Sequence, residues 1–516
     1  MTAFDAPAPL LPEILALHGR WLGSKPALIC DDTVLTWREF DRAINLIANG
    51  LRRLGVARGD RVVVLMRNSL EMGELMFGAL RCGAVVVPLN TAVADAAVRA
   101  MIEDCGATVV AASDEHCARI DALRRDLPAV REFLGVNSPG TGWRELAAWR
   151  DSQSAAAVEI ELADDDPCNI IYSSGTTGLP KGIVHSHRRR LDWAYDLGLA
   201  LRYHGGAVTL CSLGLYSNIS WVGLLCTFLA GGTVVVAREF DVRGVLEVIE
   251  RRRVTHTSMV PVQFQRLLDD AAFAASDVSS LQAVMCCGSP LALELKRSLI
   301  ERLGCDFVEL YGLTEGVVTT LAPEDALRKL ASVGKPLPGT DIRIVGEDGR
   351  EVPPGESGEI VSRGRIVMAG YHQRPEANAE STWLDEKQRP WLRTGDIGRL
   401  DEEGFLYVVD RRKDMIISGG QNIYPADIEA VMITHDGVAE VAVIGVVSAQ
   451  WGETPFAIVV LREGAAADAD SLVRWTNERL GRQQRIAGVA FRDSLPRNPN
   501  GKILKRELRR DYARTG

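Results

Sequence analysis

Residues 172–182 read Tyr172-Ser173-Ser174-Gly175-Thr176-Thr177-Gly178-Leu179-Pro180-Lys181-Gly182, a loop rich in hydroxyls and glycine that leaves a strand-like run ending at Tyr172. Glycine lets consecutive backbone N–H groups converge on an anion; the hydroxyls of Ser173, Ser174, Thr176 and Thr177 add donors, and Lys181 adds a charge. That is the chemistry of a phosphate cradle. The order Pro180-Lys181-Gly182 separates it from a Walker A loop, which needs Gly-Lys-Ser/Thr. Taken alone, such a loop serves equally well as a plain connection. Outward from it, strand-like runs at 61–65, 84–87, 108–111, 169–172, 233–236 and 283–286 alternate with amphipathic helical stretches, which predicts α/β layers around parallel strands. Beyond residue 335 the strands shorten and Gly/Pro turns multiply (339–345, 358–361, 404–409), predicting an antiparallel β subdomain. After Asp414 comes a compact unit with helices near 425–433 and 471–480 and strands near 438–447 and 455–461.

The chain has 516 residues, 47% of them hydrophobic, which allows a sizeable core and several domains. Its net charge of −9 argues against a nucleic-acid partner, because a phosphate backbone demands a cationic surface. Ten cysteines are scattered without CxxC spacing, so no disulfide or zinc framework is visible and a reducing, cytoplasmic compartment is expected. The N-terminus lacks the pattern of a signal peptide. Residues 205–237 carry no Asp, Glu, Lys or Arg, a length sufficient to span a bilayer. Their punctuation instead predicts strand 208–213, helix 218–230, a Gly231-Gly232 turn and strand 233–237, and a 13-residue helix is shorter than the ~20 residues that spanning requires. The basic runs Arg188–Arg190 and Arg251–Arg253 are expected on solvated helix faces. Residues 414–478 hold 2 basic and 10 acidic side chains, whereas 479–516 hold 11 basic and 3 acidic, so the basic end is either a solvated tail or a seat for a polyanion.

Companion motifs favour the phosphate reading. Tyr311-Gly312-Leu313-Thr314-Glu315 offers an aromatic face for a base, a hydroxyl for a phosphate and a carboxylate for a divalent metal. Trp391-Leu392-Arg393-Thr394-Gly395-Asp396 places a carboxylate in a turn, where it can accept both ribose hydroxyls. Asp410-Arg411-Arg412-Lys413-Asp414 opens the last unit, and Pro496-Arg497-Asn498-Pro499-Asn500-Gly501-Lys502 sets a lysine on a turn. His185-Ser186-His187 is expected on the helix after the loop, the other six histidines show no metal-ligand spacing, and all eight are expected to be structural or solvent-facing.

In this order the motifs resemble the adenylate-forming superfamily of acyl-CoA synthetases, luciferases and peptide-synthetase adenylation domains. The resemblance covers nearly the whole chain, from Thr36-Trp37-Arg38-Glu39 and Gly59-Asp60-Arg61-Val62 to Lys502. It implies a large N-terminal body of layered α/β subdomains plus a β-barrel-like subdomain (residues 1–412) and a small mobile α+β C-terminal domain (413–516). It also implies that the loop from Ser173 through Lys181 (Ser173, Ser174, Gly175, Thr176, Thr177, Gly178, Lys181) holds the ATP phosphates. Tyr311, Gly312 and the Gly288-Ser289-Pro290 turn would flank adenine, and Asp396 with Arg411 would hold the ribose. Thr314 would meet the α-phosphate and Glu315 would bind Mg²⁺. Lys413 matches the hinge, Lys502 the adenylation lysine, and Gly419-Gly420 the strip beside the pantetheine channel.

The implied reaction activates a carboxylic acid as acyl-AMP with release of pyrophosphate and then transfers the acyl group to the thiol of CoA. Tyr216, Ser217, Asn218, Trp221 and Val317 fall where the family's acyl pocket lies, and Ser217 stands where many relatives have histidine. That segment holds neither an Asp for an α-amino group nor an Arg for a second carboxylate, which favours an apolar aliphatic or aromatic monocarboxylate. Two alternatives stand: transfer to a carrier-protein phosphopantetheine, and a non-catalytic nucleotide-binding relative. The oligomeric state is open.

Overall fold

The computed structural model describes residues 8–137, 140–173, 180–418, 421–448, 450–482, 484–497 and 501–512. By the density of packing the chain divides into two compact units. The first comprises Met1–Leu330, Pro336–Asp341 and Arg363–Thr382; the second comprises Ala331–Lys335, Ile342–Ser362 and Trp383–Gly516.

In the first unit, four strands, Arg61–Leu65, Val85–Pro88, Val109–Ala112 and Glu132–Gly135, apolar and buried apart from their opening Arg61 and Glu132, form the parallel heart of one sheet. Continuous apolar runs are what a sheet covered on both faces requires. Pro167–Ser173 joins parallel to Val85–Pro88, then turns back antiparallel into Lys181–Ser186, on which the short strand Gly370–Tyr371 pairs. A second sheet runs in the order Val318–Leu321, Asp306–Gly312, Ala283–Cys286, His256–Met259, Val208–Cys211, Thr233–Val236, Pro26–Cys30, Thr33–Thr36. The uncharged segment is a buried β-α-β unit. Val208–Cys211 and Thr233–Val236 pair in parallel through the helix Asn218–Ala230, which ends on left-handed Gly231. Among the described residues no helix is long and apolar enough to cross a membrane.

Thr36-Trp37-Arg38-Glu39 is a helix start. Thr36 caps Trp37–Arg53, its hydroxyl accepting from the Glu39 N–H while the Glu39 carboxylate accepts from the Thr36 N–H. The expectation for Arg188–Arg190 is corrected. Arg190 is only 1% exposed, donates from Nε to Asn169 at 2.8 Å and lies against the rings of Trp193 and Trp221. Positions 190, 193, 194 and 197 form one buried helical stripe, which a run of adjacent charges obscures. His185 is corrected as well: it lies on the strand Lys181–Ser186, and the helix begins at His187.

The second unit carries two antiparallel systems. One joins Thr340–Val345, Gly358–Gly364, Pro390–Leu400 and Thr382–Leu384, with Leu406–Arg411 paired to Pro390–Leu400. The other builds on Val438–Ser448 and Gly452–Leu461, flanked by the helices Pro425–Met432, Ala469–Asn477 and Lys505–Tyr512. All ten cysteines are free, and all but Cys305 are buried.

Candidate active site

The first unit carries the glycine- and hydroxyl-rich loop on a hairpin whose register pairs Tyr172 with Gly182 and Ser173 with Lys181. Ser174, Gly175, Thr176, Thr177 and Gly178 lie outside the described residues. The base of the loop is braced: the Tyr172 hydroxyl donates to Asp104 at 2.7 Å, and Asp104 is ion-paired with Arg374. Burial raises the Tyr172 phenol above its ordinary value, so it remains a donor. Lys181 Nζ lies 4.9 Å from the centroid of the Tyr371 ring, within cation–π range.

Tyr311 and Gly312 end the strand Asp306–Gly312. Beyond them the chain turns through Leu313–Gly316, with Leu313 N–H donating to Val317 and Gly316 N–H to Leu313, both at 3.0 Å. Gly316 has φ +106°, a conformation that β-carbon-bearing residues adopt only under strain. The turn is held at three points. His185 donates from Nε2 to the Thr314 carbonyl at 2.8 Å; Met368 N–H donates to the Glu315 carbonyl at 2.7 Å; the Tyr371 hydroxyl donates to Glu315 Oε1 at 3.0 Å. Burial, then the Arg190 charge, hold His185 well below its ordinary pKa, so it is neutral and its Nε2 carries the proton that Thr314 accepts. Beneath Tyr311, Glu309 pairs with the fully buried Lys296.

Gly288-Ser289-Pro290 follows the buried strand Ala283–Cys286, at the carboxyl end of parallel strands where α/β sheets bind ligands. Gly288 has φ +98°, and a β-carbon there would meet Ile219 at 2.8 Å. Ser217 caps the helix Asn218–Ala230, accepting from Ile219 N–H at 3.3 Å. Trp221 and Val317 are wholly buried, and Trp221 Nε1 donates to Leu215; Tyr216 and Asn218 are partly exposed.

The second unit brings together Asp396, Arg411, Lys413 and Lys502. Asp396 is not in the expected turn but within the strand Pro390–Leu400, just after the left-handed Gly395, and it is the cross-strand partner of Arg411, joined at 3.2 Å from Nε to Oδ1. Below them Glu359, which the motif reading missed, ion-pairs with Arg393 and with Arg412 (3.1 Å) and accepts from Gly395 N–H at 3.3 Å. No local pattern marks Glu359, because its partners lie 34 to 53 positions away. Asp410 accepts from Ala426 N–H at 3.0 Å, and Asp414 pairs with Arg509 at 2.8 Å. The turn bearing Lys502 is closed by Leu504 N–H donating to Pro496 and by Arg497 donating to Gly501. Burial, followed by the Arg411 charge, lowers the Lys502 ammonium to about 7, against the opposing pull of Asp396. Burial also lowers Lys413. Gly419 and Gly420 lie outside the described residues. Part of the basic end is taken up in ion pairs, Arg492, Arg497, Lys505 and Arg509 with Asp511, Glu440, Glu429 and Asp414, while Arg482, Arg485, Arg506 and Arg510 are exposed.

Among the described residues no cluster of three or more His, Cys, Asp or Glu could hold a metal by itself. Glu315 is a lone hard-oxygen donor, which fits Mg²⁺ arriving with a nucleotide, since that ion keeps several waters and binds through one or two carboxylates plus substrate phosphates.

Against known proteins, residues 19–372 match the AMP-binding enzyme family and residues 427–502 its C-terminal domain. A feruloyl-CoA synthase of an Amycolatopsis species is 36% identical over 485 residues, covering 93% of this chain and 94% of that protein. The long-chain-fatty-acid–CoA ligase FadD13 of Mycobacterium tuberculosis is 36% identical over 493 residues, 94% of each. Among solved structures, ATP-bound MatB from Rhodopseudomonas palustris superposes with a TM-score of 0.90 at 29% identity, covering 98% of this chain and 99% of that one. The chain belongs to the AMP-binding enzyme family, the adenylate-forming superfamily. It is an acid–thiol ligase, an ATP-dependent acyl-CoA synthetase working through an acyl adenylate.

Proposed function

We propose that the acid is an apolar monocarboxylate, aliphatic or aromatic. One observation carries this reading: the buried β-α-β unit that includes Tyr216, Ser217, Asn218 and Trp221 holds no charged side chain over residues 205–237. A second carboxylate or an ammonium buried there would find no oppositely charged side chain within the segment, at a cost of several kcal/mol. The names of the feruloyl and long-chain fatty acid enzymes agree in chemistry.

We assign the ATP phosphates to the loop Ser173–Lys181, adenine to Tyr311 and the Gly288–Pro290 turn, and the ribose to Asp396 with Arg411. Thr314 is assigned to the α-phosphate. Mg²⁺ held by Glu315 would screen the charge of the phosphates. Lys502 would cancel the repulsion between substrate carboxylate and α-phosphate and stabilise charge at the phosphorus as pyrophosphate leaves. Residues 413–516 act as the mobile domain, with Lys413 as its hinge and Gly419-Gly420 beside the pantetheine, so that Lys502 withdraws before thioester formation. Ten free cysteines support a reducing, cytoplasmic setting.

The test is pyrophosphate release with Mg·ATP across short, medium, branched and aryl monocarboxylates, with and without CoA. CoA-dependent AMP and thioester formation with one acid class is expected; turnover restricted to dicarboxylates or amino acids would overturn the assignment. A second reading has its own support, because a fatty acid–[acyl-carrier-protein] ligase of Streptomyces coeruleorubidus is 32% identical over 517 residues. Pyrophosphate stalling near one equivalent per enzyme whether or not CoA is present would favour that acceptor.

A further inference from the structure

The segment 365–374 threads among the candidate site residues of the first unit, yet no motif reading touches it. Its backbone is tied on both sides: Met368 N–H donates to Glu315, Ala369 N–H to Val184 at 2.8 Å, and His372 N–H to Gly182 at 2.7 Å. Gly370 and Tyr371 pair antiparallel with Val184 and Ile183, next to Lys181 on the same strand. Arg374 reaches Asp104, which accepts the Tyr172 hydroxyl at the base of the phosphate loop. From this tied backbone one side chain touches two groups of opposite charge. The edge of Tyr371 donates from its hydroxyl to Glu315 Oε1 at 3.0 Å, while its face lies under Lys181 Nζ at 4.9 Å.

We infer that Tyr371 is a positioning residue that sets the metal-binding carboxylate of Glu315 and the phosphate-loop ammonium of Lys181 in fixed register, through two separable parts of its ring. This inference rests on the assignment of Glu315 to Mg²⁺ and of Lys181 to the ATP phosphates. The hydroxyl fixes one carboxylate oxygen and so orients the group toward a cation that is particular about octahedral geometry. The ring face orders a flexible lysine by attraction to its π-cloud and leaves the ammonium protons for phosphate oxygens. The two contacts therefore govern different ligands. The hydroxyl acts on metal affinity, and the ring acts on nucleotide affinity at saturating metal.

The experiment compares wild type with Tyr371→Phe, Tyr371→Leu, Glu315→Gln and Lys181→Ala. Mn²⁺ binding in the presence of ATP is followed by electron paramagnetic resonance, and ATP binding at saturating Mg²⁺ by calorimetry. Tyr371→Phe should weaken Mn²⁺ binding by about tenfold, the loss of one hydrogen bond to a charged group, and leave ATP affinity at saturating Mg²⁺ unchanged. Tyr371→Leu should show the same metal defect and, in addition, weaken ATP binding in the direction of Lys181→Ala. The double variant Tyr371→Phe/Glu315→Gln should bind metal no worse than Glu315→Gln alone, because the two residues act as one unit. A Tyr371→Phe titration superimposable on wild type, with Glu315→Gln clearly shifted, would overturn the inference and leave the metal assignment standing. An unshifted Glu315→Gln would instead remove the assignment on which the inference rests. Equal effects of Phe and Leu on both ligands would reduce Tyr371 to a structural part of the strand, and thermal unfolding of each variant guards against reading misfolding as lost binding.

Discussion

The two units hold their candidate site residues by different physics. In the first, Thr314 and Glu315 are fixed by neutral donors: a buried imidazole and a phenol on two paired strands of one sheet, and the backbone amide of Met368 just before the second of them. In the second, Asp396, Arg411, Arg412, Lys413, Asp414 and Lys502 form a dense set of like and unlike charges, with Glu359 tying Arg393, Arg412 and the Gly395 amide together beneath them. The first arrangement is insensitive to pH in the neutral range, because burial keeps His185 neutral and Tyr371 protonated. The second is poised, with an ammonium lowered to about 7. A scaffold can be built by packing, whereas a group that must meet and then leave a developing negative charge is tuned by its neighbours.

The largest effect falls on Lys502. Lys502→Ala should slow adenylation by about 100- to 1,000-fold, read as acid-dependent ATP–pyrophosphate exchange. Thioester formation from supplied acyl adenylate and CoA should survive, and equal loss in both half-reactions would break the contrast between a tuned lysine and a packed scaffold. The mirror experiment in the first unit is Lys296→Met, which leaves Glu309 buried and unpaired beneath the strand that bears Tyr311. Removing one partner of a buried pair destabilises by about 3 kcal/mol, which urea unfolding measures directly. An unchanged midpoint would mean that the strand does not rely on the pair.

Legibility in the sequence follows the same division. Elements written in hydrophobic periodicity or turn chemistry were readable: the runs 61–65, 233–236 and 283–286 are strands with those bounds, and the uncharged segment is the β-α-β unit its glycines predicted. Arg190 was misread because three adjacent arginines look solvated, although only the helical phase decides which of them turns inward. His185 was placed one element too late, since a short strand following a loop has no signature that distinguishes it from the first turn of a helix. Candidate site residues carried by contiguous motifs were nameable as candidates. Tyr371 and Glu359 were not, because each acts through partners brought by register from 34 to 190 positions away, and a single sequence does not encode register locally.

Glu359 gives a sharper, smaller test of the second unit. Glu359→Gln keeps the shape and the Gly395 acceptor but removes the charge that pairs Arg393 and Arg412. The strand segment carrying Asp396 should loosen, weakening ATP binding by about tenfold, as followed by calorimetry, while Mn²⁺ binding assigned to Glu315 in the first unit stays as in wild type. A loss of metal binding in this variant would mean that the two halves are not independently supported.

The smallest effect concerns pH. Because the folded protein holds the Lys502 ammonium at about 7 and an unfolded lysine titrates near 10.4, the unfolded chain binds more protons between those values. The sign follows: this residue's burial opposes folding at and below pH 7, and the opposition fades as pH rises through that window. The same shift makes Lys502 the lysine with the largest neutral, nucleophilic fraction near pH 8. Trinitrobenzenesulfonate at pH 8 should therefore label Lys502 ahead of the exposed lysines, located by peptide mass mapping, and the label should fall away as pH drops below 7. Mg·ATP should protect it, because an anion beside the ammonium raises its pKa again. Uniform labelling of all lysines with an ordinary pH midpoint would show that Arg411 and burial do not tune this group, and the contrast between a packed first unit and a poised second one would lose its chemical basis.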